Sequence, residues 1–152
     1  MNVAVLTVSD RATRGEYADE GGPLVVQMMR DAGAEVTITG LVPDERSQIE
    51  AVLIKWSGTV DVILTTGGTG LGARDVTPEA TRAVIEREAA GIAEATRAAG
   101  LAHTSFAALS RQVCGTRGNT LILNLPGAPK AAAECLAGVI DLLRHAVEMM
   151  KQ

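Results

Sequence analysis

Residues 60–72 read VDVILTTGGTGLG, an apolar stretch that runs directly into a loop with four glycines. Short apolar runs of this kind are typical of a central strand in a parallel sheet, because both faces of such a strand are covered. Glycines directly after the strand leave backbone N–H groups uncovered, so that an anion can approach the main chain. This junction predicts an α/β fold with a binding loop at the end of a strand.

Strands and helices alternate along the rest of the chain. Strands are predicted at 2–8, 35–42, 60–66, 112–116 and 120–125, with a tight turn at 117–119. Helices are predicted to begin at Gly21, after the N-cap Asp44, after the N-cap Thr77 and after Gly91. A last helix is predicted to begin at Pro129 and to continue without interruption to the end. The pattern predicts a single three-layer αβα domain over residues 1–152, with a mostly parallel central sheet.

Composition excludes several classes of protein. Hydrophobic residues make up 47% and charged residues 21%, as in compact globular domains, and the net charge of −4 disfavours binding to nucleic acid. No basic leader or membrane-length apolar run is present, so we expect a cytoplasmic protein that is not membrane-bound. Cys114 and Cys135 are expected to be reduced, partly buried thiols, and neither His103 nor His145 has metal-ligand spacing.

Polar residues collect where the predicted strands end. In a parallel α/β sheet, ligands bind at the carboxyl ends of the strands, so these positions are the candidate site. The residues delivered there are Ser9, Asp10, Arg11 and Arg14 after the first strand, Asp44 after the second, Gly67, Gly68, Thr69, Gly70, Arg74 and Asp75 after the third, and Asn124 and Gly127 after the last.

The glycine loop matches neither of two familiar phosphate loops. A Walker A loop would need Gly-Lys-Ser/Thr at its end, and the dinucleotide fingerprint belongs after the first strand rather than the third. Asp44 and Asp75 follow different strands and are suited to holding Mg²⁺ against a polyphosphate. Both are equally suited to capping a helix, and their spacing leaves the two roles open.

Five arginines are candidates for contact with an anionic ligand, because guanidinium binds phosphate in a bidentate manner. Ser110 and Arg111 are favoured after Arg74, since a hydroxyl beside a guanidinium suits a terminal phosphate. The five candidates are Arg11, Arg14, Arg74, Arg111 and Arg117.

Two composite motifs resemble a known family. Residues 66–70, TGGTG, followed by residues 74–80, RDVTPEA, resemble the signature of the molybdopterin-binding MogA/MoaB family. The segments 9–11 (SDR), 43–45 (PDE), 109–111 (LSR) and 124–127 (NLPG) agree with it. Within the family the match is closer to the active adenylyltransferases and the gephyrin-type G domains than to the MoaB branch.

The resemblance implies a function in molybdenum cofactor biosynthesis, namely Mg-ATP-dependent adenylylation of molybdopterin with release of pyrophosphate. It implies catalytic, Mg²⁺-binding roles for Asp44 and Asp75. It also implies a homotrimer and a molybdate-inserting partner that receives the product. Nucleotide or phosphate contacts would fall on Asp10, Gly67, Gly68, Thr69, Gly70 and Arg74, and molybdopterin contacts on Ser110, Arg111, Asn124, Pro126 and Gly127.

Two alternatives use the same fold. The first is a non-catalytic molybdopterin-binding or scaffold protein of the MoaB branch. The second is a nucleotide pyrophosphate hydrolase like the related domain of competence-damage proteins. Release of pyrophosphate that depends on both ATP and molybdopterin distinguishes the proposed enzyme from both.

Overall fold

A computed structural model describes all residues, Met1–Gln152. It contains one six-stranded sheet with the strand order β2-β1-β3-β6-β5-β4, in which β2, β1, β3 and β6 run parallel. The strands are β1 (Asn2–Val8), β2 (Glu35–Val42), β3 (Val62–Thr66), β4 (Arg87–Glu88), β5 (Cys114–Arg117) and β6 (Thr120–Leu125). The helices are α1 (Asp10–Thr13), α2 (Gly21–Asp31), α3 (Arg46–Trp56), α4 (Thr77–Val84), α5 (Ala90–Leu101), α6 (Pro129–Ala137) and α7 (Ile140–Met150), with a 3₁₀ helix at Ser105–Leu109.

Helices cover both faces of the sheet and confirm the predicted three-layer arrangement. Side chains alternate along β1, so that Val3 and Val5 enter one core while Ala4 and Leu6 enter the other. The larger core of 19 buried residues lies beneath α2, α5, α6 and α7, and the smaller core of 10 lies beneath α3 and α4. None of the helices combines the length and apolar content that a membrane span requires.

Several predicted boundaries were wrong. Gly91 lies inside α5 rather than before it, because the short strand β4 pairs with β5 and separates the helices. The last helix is broken after Ala137, where Gly138 packs so closely that a Cβ there would lie 2.5 Å from the Ala99 side chain. Thr77 does not cap α4, since its hydroxyl donates to the Gly67 carbonyl at 3.0 Å.

The two cysteines are free and buried, as predicted. Cys114 lies in β5 and Cys135 in α6. Burial raises the pKa of the Cys114 thiol to about 12, so this thiol stays protonated at neutral pH and packs as a small apolar side chain.

A polar cluster is buried between β3, β6 and α4. The Asn124 side chain is fully buried and donates to the hydroxyls of Thr65 and Thr81 at 3.0 and 2.9 Å. Its carbonyl oxygen accepts the backbone N–H of Val113 at 3.1 Å. Asn124 therefore joins three elements of the fold and does not reach a surface where a ligand could touch it.

Replacement of Asn124 by Ala should lower the free energy of unfolding by about 2–3 kcal/mol, because the Val113 N–H and two hydroxyls lose their partner in a buried place. Urea denaturation measures the change. The matched control is Asn119→Ala in the exposed turn after β5, which should shift stability by no more than about 0.5 kcal/mol. Equal effects of the two substitutions would contradict the structural role of Asn124.

Candidate functional site

The end of β3 touches the end of β1. Gly67 has φ +105°, and a Cβ at this position would lie 2.2 Å from the Val8 carbonyl oxygen. This contact falls between β1 and β3, where the strand order reverses direction and a crevice opens above the sheet. Only glycine fits here, because both the positive φ and the backbone contact exclude a side chain.

A cavity of 580 Å³ opens at this crevice, and we call it the central cavity. Gly67 and Gly68 line one side, and the first residues of α2 and α6 line another. No side chain caps α6, so the N–H groups of its first turn add to the positive potential that attracts anions. In the first turn of α2, the Gly22 N–H donates to the Asp19 carboxylate at 3.0 Å. Arg11 and Arg14 stand at the rim, where both contact Glu16.

The loops after β1 and β2 are tied together by their aspartates. The Asp10 N–H donates to Asp44 Oδ2 and the Asp44 N–H donates to Asp10 Oδ1, each at 2.9 Å. Arg74 donates to both oxygens of Asp10 and to Glu45. Arg74 lowers the pKa of Asp10, and Asp10 and Glu45 raise that of Arg74. Asp10 is therefore occupied by protein partners and acts as the link between the two loops.

Asp44 and Asp75 both line the central cavity. Neither aspartate caps a helix, because the N-cap residues of α3 and α4 are Glu45 and Val76. The prediction that Asp44 and Asp75 could serve as N-caps is therefore wrong. Each carboxylate accepts one backbone N–H, from Asp10 and from Gly72, and keeps its other oxygen without a hydrogen bond. The sequence had suggested this pair as a metal site, and the structure brings both members to one cavity.

The charge around Asp44 is unbalanced. Desolvation raises the pKa of Asp44, and the neighbouring carboxylates of Asp10 and Asp75 raise it further. No three His, Cys, Asp or Glu side chains are grouped as a metal site. Two carboxylates suffice for Mg²⁺, which commonly takes one or two protein carboxylates together with phosphate oxygens. The free oxygens of Asp44 and Asp75 fit such an ion.

A second cavity of 310 Å³ lies on the other side of the glycine loop. We call it the Ser110 cavity, and it shares Gly68, Asp75 and Gly127 with the central cavity. The Ser110 hydroxyl lies 3.2 Å from the Thr69 hydroxyl. The remaining lining residues include Gly70, Pro126 and two exposed apolar side chains of the 3₁₀ helix, Phe106 and Leu109.

Arg111 has a different place from the one expected. Its guanidinium donates to the carbonyl oxygens of Gly70 and Asp75, both at 2.8 Å, and pairs with Glu79. Arg111 thus fastens both ends of the segment 70–75 to the body of the protein. In this arrangement it holds the loop rather than offering a free guanidinium to a phosphate.

Two further candidates lie away from the cavities. Asn124 is buried in the cluster described above. Arg117 lies at the opposite end of the strands, beside the first residue of β6, where it donates to the Val84 carbonyl. Sequence reasoning missed Asp19, Tyr17 and Phe106, which line the cavities. Tyr17 and Phe106 could have been noticed in the sequence, because they are the single Tyr and the single Phe of the chain and lie in segments without a strand or helix pattern.

A family model described as a probable molybdopterin binding domain matches residues 4–145. The chain belongs to this family. The molybdopterin adenylyltransferase of Helicobacter pylori (strain J99) is 38% identical over 158 residues, which cover 99% of this chain and 88% of that protein. The molybdenum cofactor synthesis protein cinnamon of Drosophila melanogaster is 44% identical over 149 residues, but the match spans 96% of this chain and 25% of that protein.

A solved structure supports the same assignment. The molybdopterin biosynthesis enzyme MoaB of Thermus thermophilus is 48% identical with a TM-score of 0.92, covering 98% of this chain and 95% of that one. The expected fold and family are therefore confirmed. Relatives of both names match over nearly the whole chain, so the expectation that the chain is nearer to the adenylyltransferase branch stays a prediction.

Gly68→Ala should disrupt the site, because Gly68 has φ +70° and a Cβ there would lie 2.3 Å from Thr77 Oγ1 and 2.9 Å from Asp44 Oδ1. The control Gly118→Ala has φ +55° and no atom within 4 Å, so it carries only the left-handed strain of about 1 kcal/mol. We expect Gly68→Ala to lower the free energy of unfolding by at least about 1 kcal/mol more, measured in urea. An equal loss of unfolding free energy in Gly68→Ala and Gly118→Ala would show that the glycine loop can move aside to accept a Cβ at residue 68.

Asp44→Asn should stabilise the protein at pH 7, because it removes a carboxylate whose pKa is raised while keeping an oxygen for the Asp10 N–H. Because the pKa of Asp44 is raised in the folded state, the native protein holds the Asp44 proton more tightly than the unfolded chain does. The stability that this proton confers is present below about pH 4 and is lost as the pH rises through the raised pKa.

Urea denaturation of Asp44→Asn and of the native protein between pH 3.5 and 7.5 measures the difference in their free energy of unfolding. The range starts just below the ordinary Asp pKa of about 3.9 and ends above neutrality. The gain should shrink toward zero at the acid end. Asp141→Asn, whose side chain is 98% exposed, is the control and should show no such trend. A variant that is less stable at pH 7 would contradict the electrostatic account of Asp44.

Proposed function

We propose that this protein catalyses the Mg-ATP-dependent adenylylation of molybdopterin in molybdenum cofactor biosynthesis, giving adenylyl-molybdopterin and pyrophosphate. The observation that supports this proposal most directly is that the central cavity and the Ser110 cavity meet at Gly68, Asp75 and Gly127. A reaction that joins two substrates needs two pockets with a common wall at the reacting atoms. The family membership and the name of the Helicobacter relative support this choice of substrates.

The phosphates of ATP are assigned to the central cavity. Its uncovered amide at Gly68 and the first turn of α6 supply fixed partial positive charge. Arg11 and Arg14 are mostly exposed and both contact Glu16 at the surface, and the Arg11 guanidinium also lies 5.0 Å from the centre of the Tyr17 ring. Such exposed contacts are weak, so both side chains can turn toward a triphosphate. Arg74 stands beside them, paired with Asp10 and Glu45.

Molybdopterin is assigned to the Ser110 cavity. The hydroxyls of Ser110 and Thr69 are hydrogen-bond groups for its terminal phosphate, and Phe106 and Leu109 offer apolar surface to the pterin ring. The phosphate would then reach the shared wall from one side while the α-phosphate of ATP reaches it from the other.

The transfer itself requires no nucleophile from the protein. An oxygen of the molybdopterin phosphate forms a bond to the α-phosphorus, and the bond from this phosphorus to the bridging oxygen of the β-phosphate breaks. The electron pair leaves with pyrophosphate, and the attacking phosphate is already ionised. The protein contributes position and electrostatic stabilisation, which dominate phosphoryl-type transfers.

Mg²⁺ fits the free carboxylate oxygens of Asp44 and Asp75, and when bound it supplies positive charge to phosphate oxygens. Glycines leave room for both carboxylates, because a Cβ at Gly68 would lie 2.9 Å from Asp44 Oδ1 and a Cβ at Gly70 would lie 2.9 Å from Asp75 Oδ2. We further propose a cytoplasmic homotrimer that passes its product to a molybdate-inserting enzyme. The buried free thiols agree with a reducing compartment.

The alternative is a protein of the MoaB branch that binds molybdopterin without adenylylating it, and the 48% identity to the Thermus protein favours keeping it as a candidate. An assay of pyrophosphate release with ATP and molybdopterin, each present alone and together, separates the two functions. Release that needs both substrates is expected. Binding of molybdopterin without any release would establish the alternative, and release from ATP alone would indicate a hydrolase.

Asp44→Asn and Asp75→Asn should each lower kcat by about 100-fold or more, since each removes charge at the reacting phosphates. In Asp44→Asn the dissociation constant for molybdopterin should stay within about threefold of the native value, because Asp44 does not line the Ser110 cavity. Asp141→Asn is the matched control on an exposed surface. Native turnover in both site variants would show that the carboxylates do not take part.

A further inference from the structure

One wall of the Ser110 cavity is formed by a segment that lies outside the strands and helices. Residues 110–113 connect the 3₁₀ helix to β5. The carbonyl oxygens of Ser110 and Gln112 accept no backbone N–H. The Gln112 side chain is buried, and neither its amide nitrogen nor its oxygen has a hydrogen-bond partner. The segment therefore depends on other elements for its position.

Arg97 on α5 binds this segment from the side away from the cavity. Its Nε donates to the Ser110 carbonyl oxygen at 2.9 Å, and its Nη2 donates to the Gln112 carbonyl oxygen at 3.2 Å. A planar guanidinium suits two acceptors at a fixed spacing, which a single ammonium does not match. The two carbonyls belong to the residues on either side of Arg111, so Arg97 fixes the direction of the backbone there.

The Ser110 hydroxyl depends on that direction. It lies 3.2 Å from the Thr69 hydroxyl, and the Arg111 N–H donates to the Thr69 carbonyl oxygen at 2.8 Å. The segment is thus joined to the glycine loop on one side and to Arg97 on the other. Loss of the Arg97 contacts would free the Ser110 peptide to rotate, and its hydroxyl would move away from Thr69.

The helix α5 also lies behind the apolar part of the same cavity. Gly100 is three residues after Arg97, and a Cβ at Gly100 would lie 3.0 Å from the Ala107 side chain of the 3₁₀ helix. Phe106 and Leu109 of this 3₁₀ helix line the Ser110 cavity. The polar and apolar walls of the cavity are therefore both supported by one helix that contributes no lining residue.

We propose that Arg97 is a positioning residue for the binding of molybdopterin, which acts by orienting Ser110 through the two carbonyl oxygens; this rests on the proposed function. Arg97 lines neither the central cavity nor the Ser110 cavity, so it acts without touching the ligand. A hydroxyl that binds a phosphate oxygen works only within a narrow range of distance and angle. A displacement of about 1 Å in such a group is enough to weaken binding strongly.

Arg97→Met tests this role, because methionine keeps an unbranched apolar stem and removes both donors. The dissociation constant for molybdopterin, measured by calorimetric titration, should rise by about tenfold. The dissociation constant for a non-hydrolysable ATP analogue should change by no more than about threefold, since Arg74 still ties the segment 70–75 to Asp10 and Glu45. A variant that only lost folded protein would show fewer binding sites and no change in either constant, which would count against the proposal.

Arg144→Met is the matched control. Arg144 also donates to a backbone carbonyl oxygen, that of Ala32, and it lines neither cavity. Both dissociation constants should stay at their native values in this variant. An equal weakening of molybdopterin binding in Arg144→Met and Arg97→Met would show a general loss of packing and overturn the specific role of Arg97.

Arg97→Lys separates hydrogen bonding from side-chain bulk. Lysine keeps one donor group on a long stem, so this variant should bind molybdopterin about threefold more tightly than Arg97→Met and less tightly than the native protein. Equal affinities of the Met and Lys variants would show that hydrogen bonds to the two carbonyls do not orient Ser110.

Direct binding keeps this inference separate from turnover. Weaker binding of molybdopterin to Arg97→Met supports the inference even if the native protein releases no pyrophosphate, in which case only the proposed adenylylation fails. Native affinity in Arg97→Met overturns the inference and leaves an observed adenylylation intact. A native protein that does not bind molybdopterin would overturn both, and the titration of the native protein alone would show it.

Discussion

The site depends on the close approach of two backbone segments at the centre of the sheet, where the end of β3 meets the end of β1. Gly67 leaves β3 with φ +105° directly against the carbonyl oxygen at the end of β1, and no other residue could occupy this place. The contact brings the loop after β3 over the loop after β1. As a result Gly68 lies within reach of Asp44 and Thr77, and residues distant in sequence line one cavity.

Charge is distributed around that contact in two distinct ways. Arg74 pairs with both Asp10 and Glu45, so these three side chains tie three loops together and part of the carboxylate charge is offset. Asp44 and Asp75 have no cationic partner of this kind, and desolvation together with repulsion from the carboxylates of Asp10 and Asp75 raises the pKa of Asp44. A site that stores unbalanced negative charge is less stable than its neutral counterpart and gains most from a divalent cation. The stability of the fold and the proposed binding of Mg²⁺ are therefore in opposition at Asp44.

Arg111 and Arg74 show how the fold uses cations to hold an irregular loop. The segment 70–75 has neither strand nor helix pairing along most of its length, and its position depends on side chains from other elements. Arg111 fastens its two ends through carbonyl oxygens, and Arg74 anchors it to the loops after β1 and β2. Both arginines resemble phosphate ligands in the sequence, since the same donor geometry serves carbonyl, carboxylate and phosphate oxygens alike.

The sequence alone determined the layered α/β fold, the glycine loop after the third strand and the family, because apolar periodicity and the long motif at residues 66–80 are local properties of the chain. It also identified Asp44 and Asp75 as a pair, since both follow strands whose carboxyl ends meet. Only the tertiary structure decided that Asn124 is buried, that Arg111 holds a loop, and that Asp19 lines the central cavity. These outcomes depend on contacts between elements far apart in sequence, and a polar side chain at the end of a strand has the same local pattern whether it faces a ligand or a neighbouring loop.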